Sequence, residues 1–77
     1  MRREDTILVT GAAGFIGSYL TGYLNSLGFT QLILADDFSI EKKKGNLTDK
    51  KYKELVDRNE LFSWLEKNAG LVKAIFH

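Results

Sequence analysis

Three glycines within seven residues carry the strongest chemical signal in the chain: Gly11-Ala12-Ala13-Gly14-Phe15-Ile16-Gly17. They stand between an apolar, β-branched run at residues 6–10 and a stretch with helical periodicity. In that setting each glycine has a task. Gly11 lets the chain leave a strand in a tight turn, Gly14 lets backbone approach a pyrophosphate, and Gly17 lets the helix pack hard on the sheet. The start of the helix adds unpaired N–H groups and a partial positive charge of about half a unit. The chemistry implied is dinucleotide binding through main chain; the plainer alternative is a glycine-rich turn with no ligand. A Walker-type phosphate loop would need Lys-Ser/Thr after its last glycine, whereas Gly17 is followed by Ser18-Tyr19.

Asp36 falls 19 residues after Gly17, at the end of a second apolar run. An acidic residue at about that spacing accepts hydrogen bonds from the adenosine ribose hydroxyls; otherwise it is a carboxylate that ends a strand. Asp37 beside it contributes backbone or faces solvent. Residues 41–53 hold six lysines (42, 43, 44, 50, 51, 53) against Glu41 and Asp49, a local charge of +4. Lys42, Lys43 and Lys44 are close enough in sequence to Asp36 to offset its repulsion of a ribose 2′-phosphate. That repulsion is about 1 kcal/mol between exposed charges in water and larger where solvent is excluded. A solvated charged loop is the competing reading. Asp57 reads as a cap or strand-end residue, with an adenine contact as the alternative, and Trp64 as core or a helix–sheet contact. His77 reads as a packing residue without an acid–base partner.

These groups need elements to position them. The run Thr6-Ile7-Leu8-Val9-Thr10 suits a strand buried on both faces, as in a parallel sheet. Phe15, Ile16, Tyr19, Leu20, Tyr23, Leu24 and Leu27 then recur at helical spacing as one face, and Gly28 sits where a helix ends in the left-handed conformation. Residues 31–35 make a second strand. Residues 38–53 read as a loop with one helical turn, with Gly45-Asn46 as a turn signal. Residues 52–57 form a third strand. The next helix spans residues 60–69 with Leu61, Phe62, Leu65 and Trp64 on one face, Asp57 or Asn59 as N-cap and Gly70 as stop. Residues 71–76 are a fourth strand. The alternation predicts an α/β fold, the N-terminal part of a Rossmann-type doubly wound parallel sheet. Its four strands take the order 3-2-1-4, with helices on both faces.

Composition narrows the remaining classes. Seventy-seven residues are about half of a typical domain, and so short a chain buries only about 60% of its unfolded surface. With no Cys and a single His, a disulfide framework and a Cys/His zinc site are excluded. Hydrophobic residues at 44% and charged residues at 27% describe an ordinary globular protein. A net charge of +1 argues against nucleic-acid or membrane-surface binding, and an RNA-binding role for residues 42–53 lacks interleaved aromatics. No apolar run approaches the ~20 residues that span a bilayer, and residues 1–5 are not a signal-peptide core, so a cytoplasmic location is the default.

The segment Val9-Thr10-Gly11-Ala12-Ala13-Gly14-Phe15-Ile16-Gly17 resembles the extended short-chain dehydrogenase/reductase superfamily of nucleotide-sugar epimerases and dehydratases. Ala35-Asp36-Asp37-Phe38-Ser39, Lys43-Lys44-Gly45-Asn46-Leu47 and Ala74-Ile75-Phe76-His77 narrow the likeness to the bacterial ADP-L-glycero-D-manno-heptose 6-epimerase family. That resemblance implies NADP as cofactor, with NAD also accepted. Phe15 and Ile16 would meet the pyrophosphate, Asp36 with Asp37 the adenosine ribose, and Lys43 with Arg58 the 2′-phosphate. Arg58 stands where the family tends to have Lys, which keeps the charge and changes the geometry. The implied reaction is a redox epimerisation in which hydride leaves the sugar and returns to its opposite face. Its acid–base work belongs to a Tyr-x-x-x-Lys pair. Here Tyr19 is followed four residues on by Tyr23, Tyr23 by Leu27 and Tyr52 by Val56, so no catalytic residue is assigned. The expectation is one partial dinucleotide-binding domain, residues 1–77, cut after the fourth strand of a homo-oligomeric enzyme that acts on a sugar nucleotide. The alternatives are a UDP-sugar 4-epimerase or dehydratase of the same superfamily, or a free-standing dinucleotide-binding module. The last would expose its fourth strand as an apolar edge, which parallel sheets rarely tolerate.

Overall fold

Two runs of buried aliphatic residues organise the computed structural model, which describes residues 2–38 and 45–77. The first is strand β1 (Thr6–Thr10) and the second is β2 (Leu32–Asp36), with helix α1 (Phe15–Ser26) crossing between them. A single 3-10 turn at Gly45–Leu47 precedes β3 (Glu54–Asp57). Another, Arg58–Glu60, runs into helix α2 (Leu61–Asn68), and β4 (Val72–Phe76) follows. All pairings are parallel and the strand order is β3-β2-β1-β4, as the sequence predicts.

The pleat sorts the core into two layers. Ile7, Val9, Leu32 and Leu34 point to one face and pack with Ala12, Ala13, Leu24 and Leu47. Leu8, Ile33, Ala35 and Val56 point to the other and meet Leu61, Trp64 and Leu65 of α2. The two helices therefore cover opposite faces, which is why both inner strands read as unbroken apolar runs. Trp64 is a helix–sheet contact, as expected. No helix among the described residues is long and apolar enough to cross a membrane.

Helix α1 forms where predicted but faces the other way. Its buried residues are Ser18, Thr21 and Leu24, while Phe15 is 86% exposed, and Ile16, Tyr19, Tyr23 and Leu27 are exposed too. Only Leu20 and Leu24 of the expected apolar face touch the core. The cause is the depth at which the helix sits. A Cβ on Gly17 would lie 2.1 Å from the Gly11 carbonyl oxygen, so small side chains alone fit beneath the axis there. Thr21 is fully buried and its hydroxyl donates to the Gly17 carbonyl at 2.8 Å, which removes the cost of hiding it. At the far end Gly28 adopts φ +95°, the left-handed stop read from the sequence.

Smaller differences share a local origin. Strand β3 starts at Glu54, two residues later than expected. Asp57 accepts from the Asn59 N–H at 3.0 Å and caps the 3-10 turn, which shortens α2 at its start. Phe62 is 82% exposed and does not share the half-buried face of Leu61, Trp64 and Leu65.

Candidate functional site

Beyond Thr10 the chain turns sharply. Gly11 takes φ +63°, a conformation side chains disfavour, and the Gly14 N–H closes the turn onto the Gly11 carbonyl at 3.2 Å. Gly17 is required for a different reason, the 2.1 Å approach to backbone described above. Gly14 answers to neither demand. Its φ of −75° and ψ of 176° are open to any residue, and a Cβ there would come no closer than 3.4 Å to anything. The fold itself does not need glycine at 14, and its missing side chain leaves the space beside the turn open.

The first turn of α1 borders that space. The Ser18 N–H donates to the Gly14 carbonyl at 2.9 Å and starts the helical ladder. The N–H groups of Phe15, Ile16 and Gly17 have no acceptor among the described residues. No side chain caps the helix, and no acidic residue occupies its first turn. Donors of this kind, with the positive end of the helix dipole, suit an anion such as a phosphate. The residues thus fit the diphosphate of a dinucleotide: donors on one side and, at Gly14, the clearance that close backbone approach needs.

Asp36 ends β2 and is 8% exposed. Its Oδ2 accepts from the Ala13 N–H at 2.9 Å and its Oδ1 from the Asp37 N–H at 2.6 Å. The carboxylate therefore braces the glycine turn, a role that its sequence spacing does not reveal. The β2–β3 register sets Asp36 opposite Asp57, which carries Arg58 to the same corner. There the Arg58 guanidinium lies 3.5 Å from the Asp37 carboxylate, with two-thirds (67%) of its side chain exposed. Gly11, Gly14, Phe15, Ile16, Gly17, Asp36, Asp37 and Arg58 are thus arranged along the carboxyl ends of β1, β2 and β3. Lys43 lies outside the described residues, as do Lys42 and Lys44.

Two contacts were not foreseen. Asn46, read from the sequence only as a turn residue, donates from Nδ2 to the Ala13 carbonyl at 2.8 Å across 33 positions. His77 has a hydrogen-bond partner, though not an acid–base one: its Nδ1 lies 2.6 Å from the Thr10 hydroxyl, joining the ends of β1 and β4. No local pattern marks either pair: the 3-10 turn brings Asn46 to the glycine turn, and the β1–β4 pairing brings His77 to Thr10. A concavity of about 430 Å³ lies elsewhere, between β3 and α2, lined by Leu55, Glu60, Trp64 and Lys67 among others. No residue of the glycine turn lines it, and its mixed charges offer nothing specific to a phosphate.

Comparison with known proteins gives a consistent answer. The pattern of the family described as "Epimerase: NAD dependent epimerase/dehydratase family" matches residues 7–77. The ADP-L-glycero-D-manno-heptose-6-epimerase of Cupriavidus pinatubonensis is 40% identical over 73 residues, covering 94% of this chain and 22% of that protein. The protein of that name from Pseudomonas aeruginosa UCBPP-PA14 is 40% identical over the same shares. The one from Thiobacillus denitrificans is 42% identical over 72 residues, 91% of this chain and 22% of its own length. The chain thus spans about a fifth, 22%, of the length of these curated relatives.

Proposed function

The chain belongs to the NAD dependent epimerase/dehydratase family, and we propose that it forms the dinucleotide-binding part of a nucleotide-sugar epimerase that uses NADP and also accepts NAD. The observation that carries this reading is the glycine turn. Its Phe15 and Ile16 N–H groups have no acceptor among the described residues, beside a Gly14 that the local backbone does not require. In this reading the two amides hold the pyrophosphate and Asp36 with Asp37 meets the adenosine ribose. Arg58 takes the 2′-phosphate, with Lys43 assigned beside it from sequence position. When bound, the nicotinamide supplies a reversible hydride acceptor for the sugar carbon that is inverted.

The relatives' names support an ADP-heptose substrate for an enzyme in which these residues bind the cofactor. With no Tyr-x-x-x-Lys among its 77 residues, the chain is proposed as a partial domain that binds but does not epimerise by itself. A cytoplasmic, homo-oligomeric enzyme is the setting that accompanies this reading. Isothermal titration of the chain with NADP and with NAD tests it. Saturable binding of both, NADP the tighter, is expected. A chain whose amide spectrum is folded and which binds neither dinucleotide refutes the reading.

A further inference from the structure

Ala13 is fully buried, and both of its backbone polar groups are held by side chains from distant parts of the chain. Its N–H goes to Asp36 Oδ2 at 2.9 Å and its carbonyl accepts from Asn46 Nδ2 at 2.8 Å. We propose that Asn46 is a positioning residue for the glycine turn, holding the Ala13 carbonyl so that the Phe15 and Ile16 amides stay available to an anion. The inference rests on the dinucleotide reading above and adds a determinant to it.

The argument is one of competition for an acceptor. In an α-helix an N–H donates to the carbonyl four residues earlier, so a helix begun one turn sooner would spend the Phe15, Ile16 and Gly17 N–H groups on the Gly11, Ala12 and Ala13 carbonyls. Asn46 draws the Ala13 carbonyl toward itself, and Gly14 stays extended at ψ 176° while the helix begins at Phe15. With the peptide planes on both sides of Ala13 fixed, the direction of the amides that follow is fixed as well. Asn46 is presented from a firm base. Leu47 beside it is 5% exposed in the α1-side core, and the Thr48 and Lys50 N–H groups close back onto Gly45 and Leu47.

A merely structural asparagine and a positioning one separate by ligand. NAD and NADP contain the pyrophosphate; 2′-AMP keeps the ribose and its 2′-phosphate but lacks it. Asn46→Asp replaces the donor by an acceptor of the same shape, and Asn46→Ala removes it. Both are expected to lower NADP and NAD affinity about tenfold and to leave 2′-AMP affinity unchanged. In the ligand-free amide spectra, Phe15 and Ile16 should shift while the sheet resonances stay in place. Unchanged dinucleotide affinity overturns the proposal, as does an equal loss for 2′-AMP. Loss of the folded spectrum in both variants also overturns it, by making Asn46 a plain structural residue. If the unmodified chain binds neither dinucleotide, the functional reading fails instead. The Phe15 and Ile16 shifts in the variants then still decide whether Asn46 sets the turn.

Discussion

Alanine in place of Gly14 and of Gly17, one at a time, should give opposite phenotypes from the same added methyl. At Gly17 the new Cβ would lie 2.1 Å from the Gly11 carbonyl oxygen and 2.8 Å from the Ala12 Cα, both backbone atoms with no rotamer to change. Relief to ordinary contact needs the start of α1 to move out by about 1 Å, which loosens Ser18, Thr21 and Leu24 from the sheet. Overpacking of this kind costs about 1–3 kcal/mol and sometimes more. Small domains sit at the lower end of the usual 5–15 kcal/mol of stability, roughly, so the loss is a large fraction of the whole. At Gly14 the nearest atom to a new Cβ is 3.4 Å away and φ is −75°, so alanine fits. A shortened list of unfolded conformations could even add about 0.4–1 kcal/mol. In the proposed role, however, that methyl would occupy the clearance through which a pyrophosphate reaches the Phe15 and Ile16 amides. Urea unfolding and NADP titration of both variants make the assay. Gly17→Ala should unfold at markedly lower urea; Gly14→Ala should keep its midpoint and lose dinucleotide affinity by tenfold or more, roughly, the ratio set by about 1.4 kcal/mol. A Gly14→Ala chain that binds NADP undiminished would refute the assignment of that space to a ligand.

Three further outcomes follow from the same geometry. Arg58→Ala removes a two-thirds exposed guanidinium, so stability should change by less than about 1 kcal/mol while the preference for NADP over NAD collapses; titration with the two cofactors reads the ratio. Asp36→Asn weakens the acceptor of the buried Ala13 N–H, which should cost about 1–3 kcal/mol in urea unfolding along with dinucleotide affinity. On α1, Tyr19→Ser and Tyr23→Ser should stay within about 0.5 kcal/mol of the parent, whereas Leu24→Ala should lose about 2–5 kcal/mol. Equal losses at Tyr19 and Leu24 in thermal melts would contradict the observed orientation of the helix.

Where local chemistry decides the outcome, the sequence is a sufficient guide. The unbroken apolar runs of β1 and β2 announce burial on two faces, and with helices alternating between strands the order β3-β2-β1-β4 follows. Gly11 and Gly17 are legible because each answers a backbone demand, and Asp36 because it ends the next strand. The inward face of α1 is not legible from hydropathy. Close approach at Gly17 selects for small volume, and Ser18 and Thr21 outrank Phe15 and Tyr19 there. The side-chain links Asn46 to Ala13 and His77 to Thr10 escape for another reason. Each joins positions dozens of residues apart, and each partner looks ordinary in its own segment.

The brace from Asp36 to the Ala13 N–H bears on how cofactor preference could be re-engineered or could drift. One carboxylate both steadies the turn and, in the proposed role, meets the ribose, so a substitution chosen to welcome a different nucleotide also loosens the scaffold beneath it. Arg58 shows no such double duty among the described residues: its side chain is two-thirds (67%) exposed at the rim, beside the Asp37 carboxylate. Selection for a new nucleotide therefore has a low-cost route through position 58 and a costly one through position 36. Variants that retain Asp36 and vary Arg58 are the ones expected to survive it.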